Sequence, residues 1–293
     1  METINTCLVC GSQEINHFID CKDFTVSQKT FSIQECTKCK FKFTSPRPSS
    51  NEIGSYYKSE DYISHSDTKK GLIHRLYHFI RTYTLIKKLQ LIMRFSVKKG
   101  KLFDYGCGTG AFLSFCKKNG WETFGFEPDD DARKIAFDNG AEVTNDLNSL
   151  STSLSCDVFT MWHVLEHVHD LGGLFSFINK HLKANGLFVV AVPNPTSFDA
   201  NYYKENWAAY DVPRHLYHFS PENVKDLVEM NGLKLIKIMP MIFDSFYVSM
   251  LSEKYKSGKI NYFKAFLTGL KSNYKAINNP TEYSSQIYLF KKA

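Results

Sequence analysis

From residue 101 onward, strand-like and helix-like segments alternate, and this alternation limits the chain to few folds. Residues 101–105, 122–127, 141–144, 157–162, 187–192 and 233–239 read as short apolar strands. Between them, residues 111–118, 129–139, 172–183 and 221–230 carry helical spacing. The stop signals agree with these boundaries: Gly140, Gly186 and Gly232 follow helices or the turns after them, and Pro193 bounds the fifth strand. Ser220 supplies an N-cap with Pro221 at the first helical position. Such an order argues for an α/β fold, a doubly wound parallel sheet with helices on both faces. One more strand is expected over residues 286–290.

The turn after the first strand is rich in glycine, with Gly106, Gly108 and Gly110 flanking Cys107 and Thr109. Glycines here let backbone approach a ligand closely, just before a helix N-terminus. Gly106, Gly108 and Ala111 also satisfy the dinucleotide pattern G-x-G-x-x-G/A, so the glycines alone are ambiguous. Asp104 precedes them by two residues, where a carboxylate repels a pyrophosphate and suits a ligand carrying an amino group and a sulfonium. Glu127 ends the second strand and can accept hydrogen bonds from both hydroxyls of a ribose, which serves either cofactor.

The run Asp104-Tyr-Gly-Cys-Gly-Thr-Gly110 resembles the cofactor-binding motif of class I S-adenosylmethionine-dependent methyltransferases. The resemblance covers about residues 100–240 and the last strand. It implies a Rossmann-like, seven-stranded, mostly parallel sheet. It also implies S-adenosylmethionine as cofactor, held by Asp104, Gly106, Cys107, Gly108, Gly110 and Glu127, with Asp146 and Leu147 near the adenine.

Residues 161–168, Met-Trp-His-Val-Leu-Glu-His-Val, follow the fourth strand, whose carboxyl end faces the ligand crevice in this fold. They resemble the ubiquinone-biosynthesis branch of O-methyltransferases. By that resemblance His163, Glu166 and His167 lie near the methyl donor or the acceptor, with His163 also among the cofactor-contacting positions. His163-x-x-Glu166-His167 also fits the inverted zinc-protease pattern, though over five residues only. A second polar run, residues 210–220, crowds Arg214, His215 and His218 beside Pro213, and the resemblance to the same branch continues there. Methylating a hydroxyl releases a proton, and a histidine is a suitable base, so His215 and, after it, His218 are catalytic candidates with His163, His167 and Glu166. The competing role for this run is to pin the loop to the following helix.

Cys7-x-x-Cys10 and Cys36-x-x-Cys39 form two thiolate pairs 25 residues apart. Four thiolates make a closed tetrahedral Zn2+ site with no open position, hence a structural one. Iron–sulfur and redox-active pairs are the alternatives. Cys21, Cys107, Cys116 and Cys156 lack partner spacing and read as small apolar residues. The expected organisation is a zinc-ribbon-like module over 1–45, a linker with amphipathic helices over 46–99, and a methyltransferase domain over 100–293. An insertion at about 240–285, between the sixth and seventh strands, emerges on the ligand side as a helical cap.

Charge is unevenly spread. From residue 251 to the end, eight lysines face two acids, an excess equal to the formal +6 of the whole chain. Six of these lysines fall in the cap. A cationic rim attracts anions, so the expected acceptor is a small molecule or glycan precursor bearing phosphate or carboxylate, methylated on oxygen. An RNA-directed methyltransferase and a non-catalytic cofactor-binding regulator are the alternatives. Lysine outnumbers arginine in the tail and no RNA-stacking motif is apparent, which disfavours nucleic acid. No run approaches the roughly 20 apolar residues of a membrane span, although peripheral membrane contact stays open. The first residues lack a basic flank and apolar stretch, so a cytoplasmic protein is expected.

Overall fold

The computed structural model describes residues 1–57, 72–96, 98–150 and 154–292, and within 72–79 the backbone only. Of the stretch 46–99 expected to hold a linker and amphipathic helices, residues 58–71 and 97 lie outside them. Within it, one 24-residue helix forms, α1 (Leu72–Phe95).

A seven-stranded sheet organises the chain after residue 100. Its strands are β4 (Lys101–Tyr105), β5 (Glu122–Phe126), β6 (Glu142–Thr144), β7 (Cys156–Trp162), β8 (Leu182–Pro193), β10 (Leu233–Pro240) and β11 (Ser285–Lys292), in the order β10-β11-β8-β7-β4-β5-β6. The strands from β8 to β6 are parallel, while β11 runs antiparallel to both β8 and β10. The chain winds outward from β4 through β5 to β6, then returns to β7 on the other side of β4. That reversal leaves a crevice at the carboxyl ends of β4 and β7.

Helices α2 (Ala111–Lys118), α3 (Asp130–Asp138), α4 (Leu171–His181) and α6 (Pro221–Met230) flank the sheet. Two apolar layers result from the alternation of side chains along the strands. Phe103, Phe159, Phe188 and Phe290 pack with Phe175, Ile178 and Val224 on one face. Leu102, Val158, Leu187 and Leu289 pack with Ile92, Leu113 and Cys116 on the other. Asp129 caps α3 by accepting from Ala132 N at 2.8 Å, and Ser220 caps α6 in a capping box with Asn223. Cys21, Cys107, Cys116 and Cys156 are buried, as their reading as small apolar residues requires.

Ahead of this sheet, β1 (Ile15–Lys22), β2 (Thr30–Cys36) and β3 (Lys42–Thr44) form an antiparallel sheet. Its fourth strand, β9 (Tyr217–His218), comes from the loop between β8 and α6, with Lys42 opposite His218 and Phe43 opposite Tyr217. Phe41 and Phe43, wholly buried, join the same apolar layer as the main sheet. The first 45 residues are thus seated on the loop that carries Arg214, His215 and His218.

Between β10 and β11 the chain forms α7 (Asp244–Ser257) and α8 (Tyr262–Ala276), a helical hairpin where the cap was expected. The rings of Phe246 and Phe266 stack between them at 5.5 Å. A short helix, α5 (Phe198–Tyr203), lies against both. Buried Asp199 of α5 ties the assembly together: it accepts from Trp207 Nε1 at 2.8 Å, Ser272 Oγ at 2.7 Å and Ser284 Oγ at 2.7 Å. Among the described residues, no helix is long and apolar enough to cross a membrane.

Candidate active site

The turn after β4 takes its shape from glycine. Gly106 has φ 72°, and a Cβ there would lie 2.5 Å from the Val164 side chain. Gly108 has φ 54°, but a Cβ there would meet nothing within 4 Å, so its surface is open toward the crevice. Glu127, just past the end of β5, reaches back to this turn. Its Oε2 accepts from Gly108 N at 2.8 Å and its Oε1 from Asp129 N at 3.0 Å. Burial raises its carboxyl above the ordinary value, opposed by those two N–H groups.

Asp104 is 2% exposed on β4, in register with Thr160 of β7, whose hydroxyl donates to Asp104 Oδ1 at 2.6 Å. Burial pushes the carboxyl up to about 7, against the Thr160 hydrogen bond and the charge of Lys88. Lys88, from α1, stands over the Trp162 ring at 4.1 Å. Burial lowers its ammonium to about 8, although the charges of Asp104 and Asp244 oppose that shift. A buried carboxylate and an open glycine turn together suit a cationic group on a ligand. Asp146 is exposed, and its carboxylate accepts from Asn148 N at 2.9 Å beside half-buried Leu147. Cys107 packs its sulfur toward Gly125, and burial raises the thiol.

Beyond β7 the backbone turns sharply at His163, which has φ 57°, an uncommon value for a residue with a side chain. Its N–H still donates to Ala191 O of β8 at 2.9 Å, which holds the turn in place. The ring spans two acids: Nε2 lies 3.1 Å from Asp244 Oδ2 on α7, and Nδ1 lies 3.5 Å from Glu166 Oε1. Burial lowers the imidazole, but Asp244 and then Glu166 override it and bring it to about 10, so the ring is cationic at neutral pH.

Glu166 is 1% exposed, and neither carboxylate oxygen has a hydrogen bond among the described residues. The ion pair with His163 at 3.5 Å is longer than a hydrogen bond, so Glu166 is held mainly by charge. One polar atom from each of Glu166, His167 and His215 lies within 4.8 Å of the others. His215 Nδ1 donates to Ala209 O at 2.8 Å, which leaves Nε2 as the nitrogen able to take a proton. His167 Nδ1 is 3.0 Å from Arg214 O and 2.9 Å from the Tyr57 hydroxyl. Burial and the neighbouring His215 lower its pKa to about 4, so His167 is neutral.

His163, Glu166, His167 and His215 therefore share one cluster, and Val164, which follows His163, packs against Gly106 of the glycine turn. His218 does not join them: it sits in β9 at 4% exposure, with Nε2 3.2 Å from the Thr44 hydroxyl. Burial depresses it well below the ordinary value. Arg214 also points away. Its guanidinium, 2% exposed, bonds Asp211, Asp23 at 3.3 Å, Tyr56 O at 3.0 Å and the Thr25 hydroxyl, joining the loop to the first 57 residues.

The four cysteines of the N-terminal pairs converge. Cys7 Sγ lies 3.5 Å from Cys39 Sγ, and Cys10 Sγ lies 3.6 Å from Cys36 Sγ. A tetrahedral zinc with sulfur at about 2.3 Å requires sulfur–sulfur edges of about 3.8 Å, and all four sulfurs lie within 4.8 Å of one another. The geometry accommodates zinc with little adjustment.

A family model described as a methyltransferase domain matches residues 76–238, more than half of the chain. The chain belongs to this methyltransferase family. It is an S-adenosylmethionine-dependent methyltransferase. Over 250 residues it is 24% identical to the ubiquinone biosynthesis O-methyltransferase of Rickettsia typhi, covering 80% of this chain and 92% of that protein. The corresponding enzyme of Rickettsia akari is 22% identical over 66% of this chain and 76% of its own length. A solved Thermotoga maritima methyltransferase, described as a possible histamine N-methyltransferase, superposes with a TM-score of 0.50 at 20% identity, covering 75% of this chain and 94% of that one.

Three neighbours of the methyltransferase crevice were not foreseen. Thr160 left a trace, as the one hydroxyl in the run Cys-Asp-Val-Phe-Thr-Met-Trp. Asp244 is the acid opening the first cap helix, but its pairing with His163 across 81 positions has no local signal. Lys88 is one of two adjacent lysines on α1, Lys87 and Lys88, and only packing of that helix brings it over Trp162.

Proposed function

We propose that this methyltransferase acts on a hydroxyl of a small-molecule or glycan-precursor acceptor that carries negative charge. The observation carrying this reading is the cluster of His215, His167 and Glu166, with His215 Nδ1 bonded to Ala209 O and Nε2, 4.0 Å from the Asp211 carboxylate, as the nitrogen to accept a proton. When bound, S-adenosylmethionine supplies an electrophilic methyl group on a sulfonium. Asp104 provides a negative charge for the cofactor's cationic end, Gly106 to Gly110 its close backbone surface, and Glu127 acceptors for its ribose hydroxyls; Asp146 and Leu147 border the adenine. His215 takes the acceptor proton, and the fixed negative charge of Glu166 stabilises the imidazolium that results. Neutral His167, held by Arg214 O, packs edge-on to His215 with ring centroids 4.6 Å apart and keeps it oriented. Cationic His163, anchored by Asp244, closes the crevice under the cap and excludes water.

Support for a negatively charged acceptor comes from Lys88 in the crevice and the lysine excess of the cap. The same reading divides the chain into a zinc-ribbon-like module over 1–45, a linker with amphipathic helices over 46–99 and a methyltransferase domain over 100–293. In the first of these, Cys7, Cys10, Cys36 and Cys39 hold a structural Zn2+ that shapes a segment too small for its own core.

The test is methyl transfer from labelled S-adenosylmethionine to a panel of anionic and neutral hydroxylated acceptors, read by mass spectrometry. With the accepted substrate, His215→Asn lowers kcat by about 10²–10⁴-fold while S-adenosylhomocysteine affinity is retained. Unchanged kcat in that variant, or a product methylated on nitrogen or carbon, would overturn the reading.

A further inference from the structure

Helix α8 buries one side and leaves the opposite side bare. Its buried residues are all small: Ala265, Thr268, Gly269, Ser272 and Ala276. They let α8 approach α7 closely, and a Cβ on Gly269 would lie 2.8 Å from the Phe246 ring. The outer side carries Phe263 (75% exposed), Phe266 (55%), Leu267 (46%), Leu270 (49%), Tyr274 (74%) and, at the C-cap, Ile277 (62%). At 3.6 residues per turn these six positions fall within an arc of roughly 100°. Ile242 and Phe243, 43% and 41% exposed at the entrance to α7, extend the patch; Ile242 O accepts from Asn273 Nδ2 of α8 at 2.8 Å.

The same helix is charged on one border only. Lys264, Lys271 and Lys275 follow one another along one edge of the apolar arc, and α8 contains no acidic residue. Lys271 and Lys275 extend over the Phe198 ring at 5.1 and 4.7 Å, while Lys264 pairs with Glu253 at 3.2 Å. An apolar stripe of this size is rare on a protein surface unless something covers it. An apolar stripe of phenylalanine, leucine and tyrosine bordered by lysine matches a helix lying in the boundary between water and lipid. There the rings enter the headgroup layer, the leucines reach the acyl chains, and the lysine stems extend to anionic headgroups. A second copy of the chain fits less well, because its α8 brings another lysine row and no acid to meet the first.

We propose that α8 docks this methyltransferase on an anionic lipid bilayer, with its outer stripe in the headgroup region. The inference stands apart from the identity of the acceptor. It does bear on access: α7 of the same hairpin supplies Asp244 to His163, so docking would hold the crevice near the membrane surface.

Co-sedimentation of the full-length protein with vesicles tests this. One set is phosphatidylcholine alone, and the other includes about 30 mol % phosphatidylglycerol. The expected result is partitioning at least about tenfold stronger on the anionic vesicles, weakening as salt is raised. Phe263→Ser with Leu270→Ser should reduce binding to both sets by at least about tenfold. Lys271→Glu with Lys275→Glu should abolish the preference for anionic lipid. Unaltered S-adenosylhomocysteine binding reports that each variant is folded, and should one fail that check, the other still decides. Wild-type protein that sediments with neither vesicle, or binding that survives the altered stripe and the altered lysines, would overturn the proposal. So would a dimer in sedimentation velocity that Phe263→Ser with Leu270→Ser dissolves, since the stripe would then belong to a second copy.

Discussion

Replacing Asp104 with Asn should stabilise the cofactor-free protein and weaken its hold on the cofactor. Asp104 is 2% exposed and its carboxyl is raised from 3.8 to about 7, chiefly by burial. The folded protein therefore binds that proton more tightly than the unfolded chain does. Between about pH 4 and pH 7 the folded state carries the extra proton, so stability falls as pH rises through this window and the cost is complete above it. A rise of about three pKa units corresponds to about 4 kcal/mol as an order-of-magnitude ceiling. Asn keeps the shape and can still accept from Thr160, but has no charge to bury. Urea unfolding of cofactor-free protein from about pH 4.5 to 8 should show the wild type losing stability relative to Asp104→Asn, with the variant ahead by up to about 4 kcal/mol at the upper end. Calorimetry should show the reverse for binding. Affinity for the cationic cofactor falls in the variant, and the wild type's gain in affinity as pH rises through about 7 disappears with it. Parallel stability profiles for the two proteins, or a variant less stable than wild type at pH 8, would refute the argument that Asp104 is a costly buried charge kept for a ligand.

Three further outcomes are expected. Glu127→Ala should weaken S-adenosylhomocysteine binding by about 1.5–3 kcal/mol or more, roughly tenfold to over a hundredfold, in calorimetry, because a charged acceptor of hydroxyl hydrogen bonds is lost; unchanged affinity would contradict the ribose role. Arg214→Ala should destabilise by about 3–5 kcal/mol in urea unfolding, since Asp23 and Asp211 lose the partner they share, whereas a change under about 1 kcal/mol would show that the loop is held by other contacts. Elemental analysis of chelator-free protein should find one zinc per chain. Cys36→Ser should remove it and lower kcat with little change in S-adenosylhomocysteine affinity, because β3 supports the His215 loop through β9 while the glycine turn lies in the main sheet; retained zinc would argue against the four-thiolate site.

Much of the fold was legible because its signals are local. β4, α2 and α6 occupy the residues read from the sequence, and the strand edges elsewhere move by a few positions at most, except β8, which begins five residues before its expected start, at Leu182. Glycine at 106, 108 and 110, proline at 221 and the serine cap at 220 act through their own backbone geometry and need no distant partner. The candidate cofactor residues were legible for a related reason: they sit at strand ends, where a parallel sheet directs them to one edge.

Local signals therefore suffice for the sheet, the glycine turn, the paired cysteines and the presence of acids and histidines near the strand ends. Which of those groups meet depends on how distant segments pack. His215 and His218 are three positions apart, yet His215 joins Glu166 and His167, while His218 is drawn into β9 opposite Lys42. Spacing cannot make that distinction, because the direction of each ring follows from β9 pairing with β3, where Phe43 and Tyr217 meet across 174 positions. The same holds for His163, whose charge is set by Asp244 on the cap, and for Arg214, bound to Asp23. Burial and charge pairing depend on groups brought together through space, and a group's sequence neighbours do not record which distant charge will stand beside it.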